Sequence, residues 1–299
     1  MLMTGTRYML LSAAAFAAMG SLVKLAGTWH IPLLQIIFIR ALVSVVLSLV
    51  DIARARVHPM GNRRVLLLGR GLSGFLALTG VFYAILHLPY AQATVLQYLH
   101  PVFTALLAFW FLAERPTSAT LVCIVLSLLG LGLMVSPYFY AGPGLTSVGD
   151  FPIAAVFAGL GGALGSGIAY TLVRKLVATE HPSVIVLYFP MVCIPGTLLL
   201  GVNDFVWPTP QGWLVLLGVG VFTQLGQLSL TRAMQFDSAS RTTSLSYLQI
   251  VFAAGLGWLF FGEIPKITTL LGAGLILLGA FISAKRQPMR QAQQIKREG

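Results

Sequence analysis

Residues 93–107 read Ala93-Thr94-Val95-Leu96-Gln97-Tyr98-Leu99-His100-Pro101-Val102-Phe103-Thr104-Ala105-Leu106-Leu107, and the apolar run closes on Leu112-Ala113-Glu114-Arg115-Pro116. The same framework returns 149 residues later. Residues 94–130 laid without a gap on 243–279 agree at seventeen of thirty-seven positions, Tyr98/Tyr247, Glu114/Glu263 and Pro116/Pro265 among them. Apolar composition alone produces matched leucines, but not an ungapped Tyr, Glu and Pro together. Shifted by one residue, the register reaches further back: Ser21-Leu22-Val23-Lys24 faces Thr171-Leu172-Val173-Arg174, and Pro32 faces Pro182. The chain is a doubled unit.

What is doubled is a set of membrane spans. Of the 299 residues, 57% are apolar and only 9% charged, against about 25% charged in soluble proteins. That excludes a soluble enzyme, a disordered chain and a disulfide scaffold. Hydrophobic stretches fall at about 8–26, 32–52, 65–86, 91–113, 117–136, 151–173, 183–201, 211–233, 241–262 and 266–284, each near the ~20 residues that cross a hydrocarbon core. The expected fold is an all-α membrane protein of ten transmembrane helices. Each half holds five, and an odd number inserts the second half upside down, which makes two inverted-topology five-helix repeats. The expected boundaries are 1–136 and 151–284 for the repeats, 137–150 for a periplasmic connection and 285–299 for a polar cytoplasmic tail. The first stretch, with Ala13-Ala14-Ala15, has the composition of a signal peptide; its counterpart inside the second half marks it as an uncleaved helix.

The net charge of +11 reports orientation rather than nucleic-acid binding. Arg7, Arg54, Arg56, Arg63, Arg64, Arg115, Arg174, Lys175, Arg232, Arg241 and the five basic residues from Lys285 onward fall on one face, against Lys24 and Lys266 on the other. This fifteen-to-two split makes the first face cytoplasmic and puts both termini there. Cys123 and Cys193 lie in apolar runs without ligand-spaced neighbours, so neither a disulfide nor a metal site is expected.

The doubled segment resembles the end-of-helix-four signature of EamA-type transporters in the drug/metabolite transporter superfamily; its second copy runs from Ser246-Tyr247-Leu248-Gln249 to Gly262-Glu263-Ile264-Pro265. The likeness covers nearly the whole chain. Phe38-Ile39-Arg40, Arg70-Gly71-Leu72 and Phe82-Tyr83-Ala84 are similar to the carboxylate, amino-acid, amine and riboflavin branches. The resemblance implies a solute carrier of a bacterial inner membrane that works by alternating access, with import and export both open, as monomer or homodimer. Its partners are a small-molecule substrate and the lipid bilayer, with no nucleic acid and no cofactor.

Ionisable groups inside spans are costly and call for an account. Arg40 lies about eight residues inside the second stretch, and either faces a central cavity to attract an anion or holds carbonyls of neighbouring helices. Arg70, a turn from the cytoplasmic end, reads as an interfacial anchor. Pro101 is expected to kink the fourth span in mid-course and free a carbonyl near residue 97, beside Gln97, Tyr98 and His100, with Tyr247 and Gln249 as their counterparts. Gln224 and Gln227 share a face of the eighth span; Tyr83 and Tyr170 lie on the third and sixth. These residues form the candidate substrate site, with interhelical hydrogen bonding as the alternative for each tyrosine and glutamine. The expected lining comes from the third, fourth, eighth and ninth helices, with the first and sixth as gates and the fifth and tenth facing lipid. The series Gly161-Gly162-x-x-Gly165-x-Gly167 lacks the Lys-Ser/Thr of a phosphate loop and reads as close helix packing. Glu114 and Glu263 read as helix caps or as partners across the repeat. All acids fall in or beside loops, which argues against a carrier of cationic drugs. No nucleophile, base or metal cluster lies at mid-membrane, so an intramembrane transferase is the weaker alternative, behind a vitamin or drug transporter of the same fold. The substrate expected is a small anionic or zwitterionic metabolite.

Overall fold

The computed structural model describes residues 4–87, 96–140, 153–262 and 267–285. Within these the chain is helical: α1 Thr4–Thr28, α2 Leu33–Ala55, α3 Arg64–His87, α4 His100–Leu112, α5 Ser118–Tyr140, α6 Ile153–Leu176, α7 Pro182–Gly201, α8 Pro210–Phe236, α9a Ala239–Ser244, α9b Leu248–Phe261 and α10 Ile267–Lys285. Seven helical segments among the described residues are long and apolar enough to cross a membrane, and shorter apolar helices at His100–Leu112, Ser118–Leu133 and Ile267–Ser283 occupy three further stretches. The outward faces carry Leu199, Trp207, Trp110 and Val65 in the open, as lipid-facing surface requires. Glu263, Pro265, Lys266, most of the 137–150 connection and the tail beyond Lys285 lie outside the described residues.

The helices pair in a regular way. α1 packs along α8 and α3 along α6; α2 lies against α7, and α5 against α10; α4 meets α6 as α9b meets α1. Each pairing turns into another when a helix is exchanged for the one five places away. Small residues set the approach of α3 to α6. A Cβ on Gly80 would stand 2.6 Å from the Ala158 carbonyl oxygen, and one on Gly162 2.9 Å from that of Ala77, so both positions need glycine for the backbones to touch.

The fourth and ninth stretches are each interrupted by one tight turn, at which Leu99, Leu245 and Tyr247 keep right-handed helical dihedrals. Residues 96–97 are helical, the chain turns at 98–99, and α4 starts afresh at His100. Pro101 falls in the first turn of α4, and the Gln97 carbonyl, which an N–H at position 101 would bond in an uninterrupted helix, lies 3.1 Å from His100 Nδ1 instead. The matching break in the second half is a 3₁₀ turn at Leu245–Tyr247 between α9a and α9b, and Ile250 stands there in place of the proline. Proline is therefore not required for such a turn. Both segments also end alike, α4 on Ala113 at φ 53° and α9b on Gly262 at φ 65°, each left-handed.

Candidate functional site

A cavity of about 200 Å³ opens where the two breaks face α1, α2, α3, α6, α7 and α8. Arg40 reaches it from α2 and Arg70 from α3. Both approach the ring of Phe189 on α7, whose centroid is 5.7 Å from the Arg40 guanidinium carbon and 4.8 Å from that of Arg70. Arg70 is only 3% exposed; its Nη2 donates to Gln227 Oε1 at 2.9 Å, while its Nε is buried without a hydrogen-bond partner. Arg40 Nη1 points at Met19 Sδ, 3.8 Å away, a weak acceptor. Gln97, Ser166, Tyr170 and Gln249 complete the polar lining, and no carboxylate is among the lining residues. Two cations with no carboxylate among the described lining residues hold a standing attraction for anions.

The structure thus brings Arg40, Gln97, Tyr170, Gln227 and Gln249 to one cavity. Tyr98, His100 and Tyr247 form a layer beside it, outside the lining. His100 spans the two breaks, with Nδ1 3.1 Å from the Gln97 carbonyl oxygen and Nε2 3.3 Å from Ser246 Oγ, and its ring lies 5.3 Å from that of Tyr170. Tyr247 donates its hydroxyl proton to the Tyr98 carbonyl at 2.9 Å, and the two rings stack with centroids 6.1 Å apart. Gln224 donates to Ser48 Oγ at 2.8 Å in the contact between α2 and α8, away from the lining. Tyr83 is 42% exposed and does not line the cavity either.

The expected third, fourth, eighth and ninth stretches all reach the lining, through Arg70, Gln97, Gln227 and Gln249, and four more join them. The first, second, sixth and seventh stretches contribute Phe16, Met19, Arg40, Ser166, Ala169, Tyr170 and Phe189, while α5 and α10 contribute nothing and pack on each other. Arg70 is not an interfacial anchor: it turns inward onto Gln227 and Phe189. A basic residue within a span was the signal for it, but its position near the helix end concealed the inward turn. Phe189 had no signal beyond being aromatic.

At the end of α4 the sequence's carboxylate does two jobs. Glu114 Oε1 accepts from Arg174 Nε at 2.6 Å, and Oε2 accepts from the Ala239 backbone N–H at 2.9 Å. It joins the end of α6 in the second half and caps α9a. Nearby, burial lifts the Asp237 carboxyl above its usual pKa, against the pull of the Arg241 guanidinium 3.1 Å away. Both cysteines are free and buried. Among the described residues no three His, Cys, Asp or Glu side chains cluster as a metal site would require.

Residues 3–136 and 153–284 each match the EamA-like transporter family. The pseudopaline exporter CntI of Pseudomonas aeruginosa is 35% identical over 287 residues, 96% of this chain and 97% of its own. The riboflavin transporter of Vibrio cholerae is 26% identical over 93% of this chain and 92% of its own. One solved crystal structure superposes with a TM-score of 0.80 over 93% of this chain and 96% of its own; at 17% identity this is a likeness of fold alone.

Proposed function

The chain belongs to the EamA-like transporter family, and on that premise we propose that it carries a small anionic or zwitterionic metabolite across a bacterial inner membrane by alternating access. The moving parts in this reading are two inverted five-helix halves, residues 1–136 and 151–284, joined by a periplasmic connection at 137–150. The exchange symmetry of the helix pairs supports it, as does the equivalence of the breaks at 98–99 and 245–247. Broken helices at mid-membrane are where such carriers hold their cargo.

The observation that carries the substrate class is the pair Arg40 and Arg70 in a lining without an acid. At about 200 Å³ the cavity is smaller than the ~300–1,000 Å³ of sites for drug-sized ligands, which favours a small anion over a flavin-like vitamin or a drug. Export is the direction we favour, from the likeness to the pseudopaline exporter. Gln97, Tyr170, Gln227 and Gln249 would fix the neutral polar part of the cargo, with Tyr98, His100 and Tyr247 holding the two breaks in register behind them; Gln224 and Tyr83 stand apart from this role.

Binding of benzoate, benzamide and trimethylphenylammonium to the purified protein tests the charge preference. The carboxylate should bind most tightly, and tightest binding of the ammonium compound would overturn the proposal. The orientation we propose, with both termini and the 285–299 tail cytoplasmic, follows from the charge split. In intact cells an impermeant thiol reagent should label Thr146→Cys and spare Arg290→Cys, against the quiet background of the buried Cys123 and Cys193; labelling of Arg290→Cys would invert the topology.

A further inference from the structure

Resting on the anionic reading of this cavity, we propose that the cargo carries two separate carboxylates, one received by Arg40 and the other by Arg70. The two guanidiniums come from different helices and approach one Phe189 ring, at 5.7 and 4.8 Å from its centroid. An aromatic ring attracts a cation through its quadrupole but carries no net charge, so Phe189 neutralises neither arginine. Nor does anything else in the lining, which holds glutamines, a serine, a tyrosine and apolar groups.

The hydrogen bonding of each arginine leaves it short in the same sense. Arg70 spends Nη2 on the neutral amide oxygen of Gln227, and its Nε–H is buried and unpartnered. Arg40 Nη1 meets only a thioether sulfur at 3.8 Å. A guanidinium offers five N–H donors in a planar fork that matches a carboxylate. A monoanion compensates one of these forks and leaves the second buried charge as it was. A dicarboxylate compensates both.

The Gln227 contact also holds the Arg70 fork in place before the cargo arrives, so little side-chain freedom is lost on binding. Since both guanidiniums approach one ring, at 5.7 and 4.8 Å from its centroid, the carboxylates they receive are separated by a short carbon chain, with Gln97, Ser166, Tyr170 and Gln249 around it. Arg70 thereby becomes a specificity-determining residue: Arg40 alone would serve any anion, and the second arginine selects for the second carboxylate.

The test is calorimetric or thermal-shift binding of the purified full chain to the dicarboxylates from succinate to pimelate, their monoamides and diamides, and inorganic phosphate. At least one dicarboxylate should bind about tenfold or more tightly than its own monoamide, the scale of one charge-assisted pair. In Arg40→Gln and in Arg70→Gln that advantage should vanish. The wild-type comparison stands even if either variant fails to fold. Monoamides that bind as tightly as their parent diacids throughout would overturn this inference and leave the anionic reading intact. Phosphate binding as tightly as the best diacid would overturn it in favour of one dianionic group. Diamides binding as tightly as diacids would overturn both readings.

Discussion

Replacing Arg40 by methionine removes a cation that the apo protein gains little from keeping. Its favourable contacts are the Phe189 face at 5.7 Å, worth about 0.5–2 kcal/mol depending on how far the pair is desolvated, and the long contact to Met19 Sδ. Against these stands repulsion from Arg70. The two guanidinium carbons are separated by at most the sum of their ring distances, about 10.5 Å. At that separation two unit charges repel by about 0.4 kcal/mol at the dielectric of water and about 1.6 kcal/mol at an effective dielectric of ~20. Removing the charge also relieves the cost of holding it within the membrane. Arg40→Met should therefore melt no lower than the parent protein when no ligand is present. Anion binding should fall by about 2–5 kcal/mol, roughly 30-fold to several thousand-fold, because the paired carboxylate is left without its fork. Arg40→Lys keeps the charge but not the two parallel donors, and should lie between. Melting temperature with and without benzoate separates the two effects. A drop of several degrees in ligand-free Arg40→Met, with anion affinity unchanged in the folded fraction, would make Arg40 a pin between helices and not an anion receptor.

Three further outcomes follow from the geometry away from the cavity. Ala113 ends α4 at φ 53°, where its counterpart Gly262 ends α9b at φ 65°; a side chain is strained there, so Ala113→Gly should raise stability by about 0.5–1 kcal/mol and Gly262→Ala should lower it by a similar amount, read as shifts in thermal melting. Gln35 ties the start of α2 to Val206, donating from Nε2 to its carbonyl at 2.6 Å and accepting from its N–H at 2.9 Å; Gln35→Leu should cost about 1–2 kcal/mol because both backbone groups lose their partner, and an unchanged melting curve would show the tie to be idle. Glu114→Gln can keep the bond from Ala239 N–H but not the ion pair with Arg174, whose side chains are 28% and 18% exposed for the arginine and the glutamate; a loss of about 1 kcal/mol is expected, more for Glu114→Ala, and a cycle with Arg174→Ala should be non-additive.

The membrane habit, the apolar stretches and the doubled framework at an offset of 149 were all legible in the amino-acid order. Hydropathy adds up along the chain without regard to its neighbours in space, and a duplicated segment keeps its register where Tyr, Glu and Pro still hold the same places. The charge split among loops is equally local, as is the absence of acids from the interior of the stretches. Arg40, Gln97, Tyr170, Gln227 and Gln249 were legible as polar residues within apolar runs.

Tertiary structure decided which of those side chains meet. A helix turns 100° per residue, so an error of one position in its rotation moves a side chain from cavity to lipid, and rotation is set by packing. The close approach of α3 to α6, permitted where Gly80 meets Ala158 and Gly162 meets Ala77, sets that rotation for the helices that carry Arg70 and Tyr170 into the cavity; on sequence position alone Arg70 is an anchor at the interface. Tyr83, one residue from a cavity-facing turn in the pattern, ends up outside the lining, and Gln224, one turn from Gln227, is drawn off to Ser48 on α2. The break beside Pro101 recurs at Leu245–Tyr247 without a proline, so the fold does not depend on a proline there. Proline marks only one copy, because at the first turn of a helix it is tolerated rather than required.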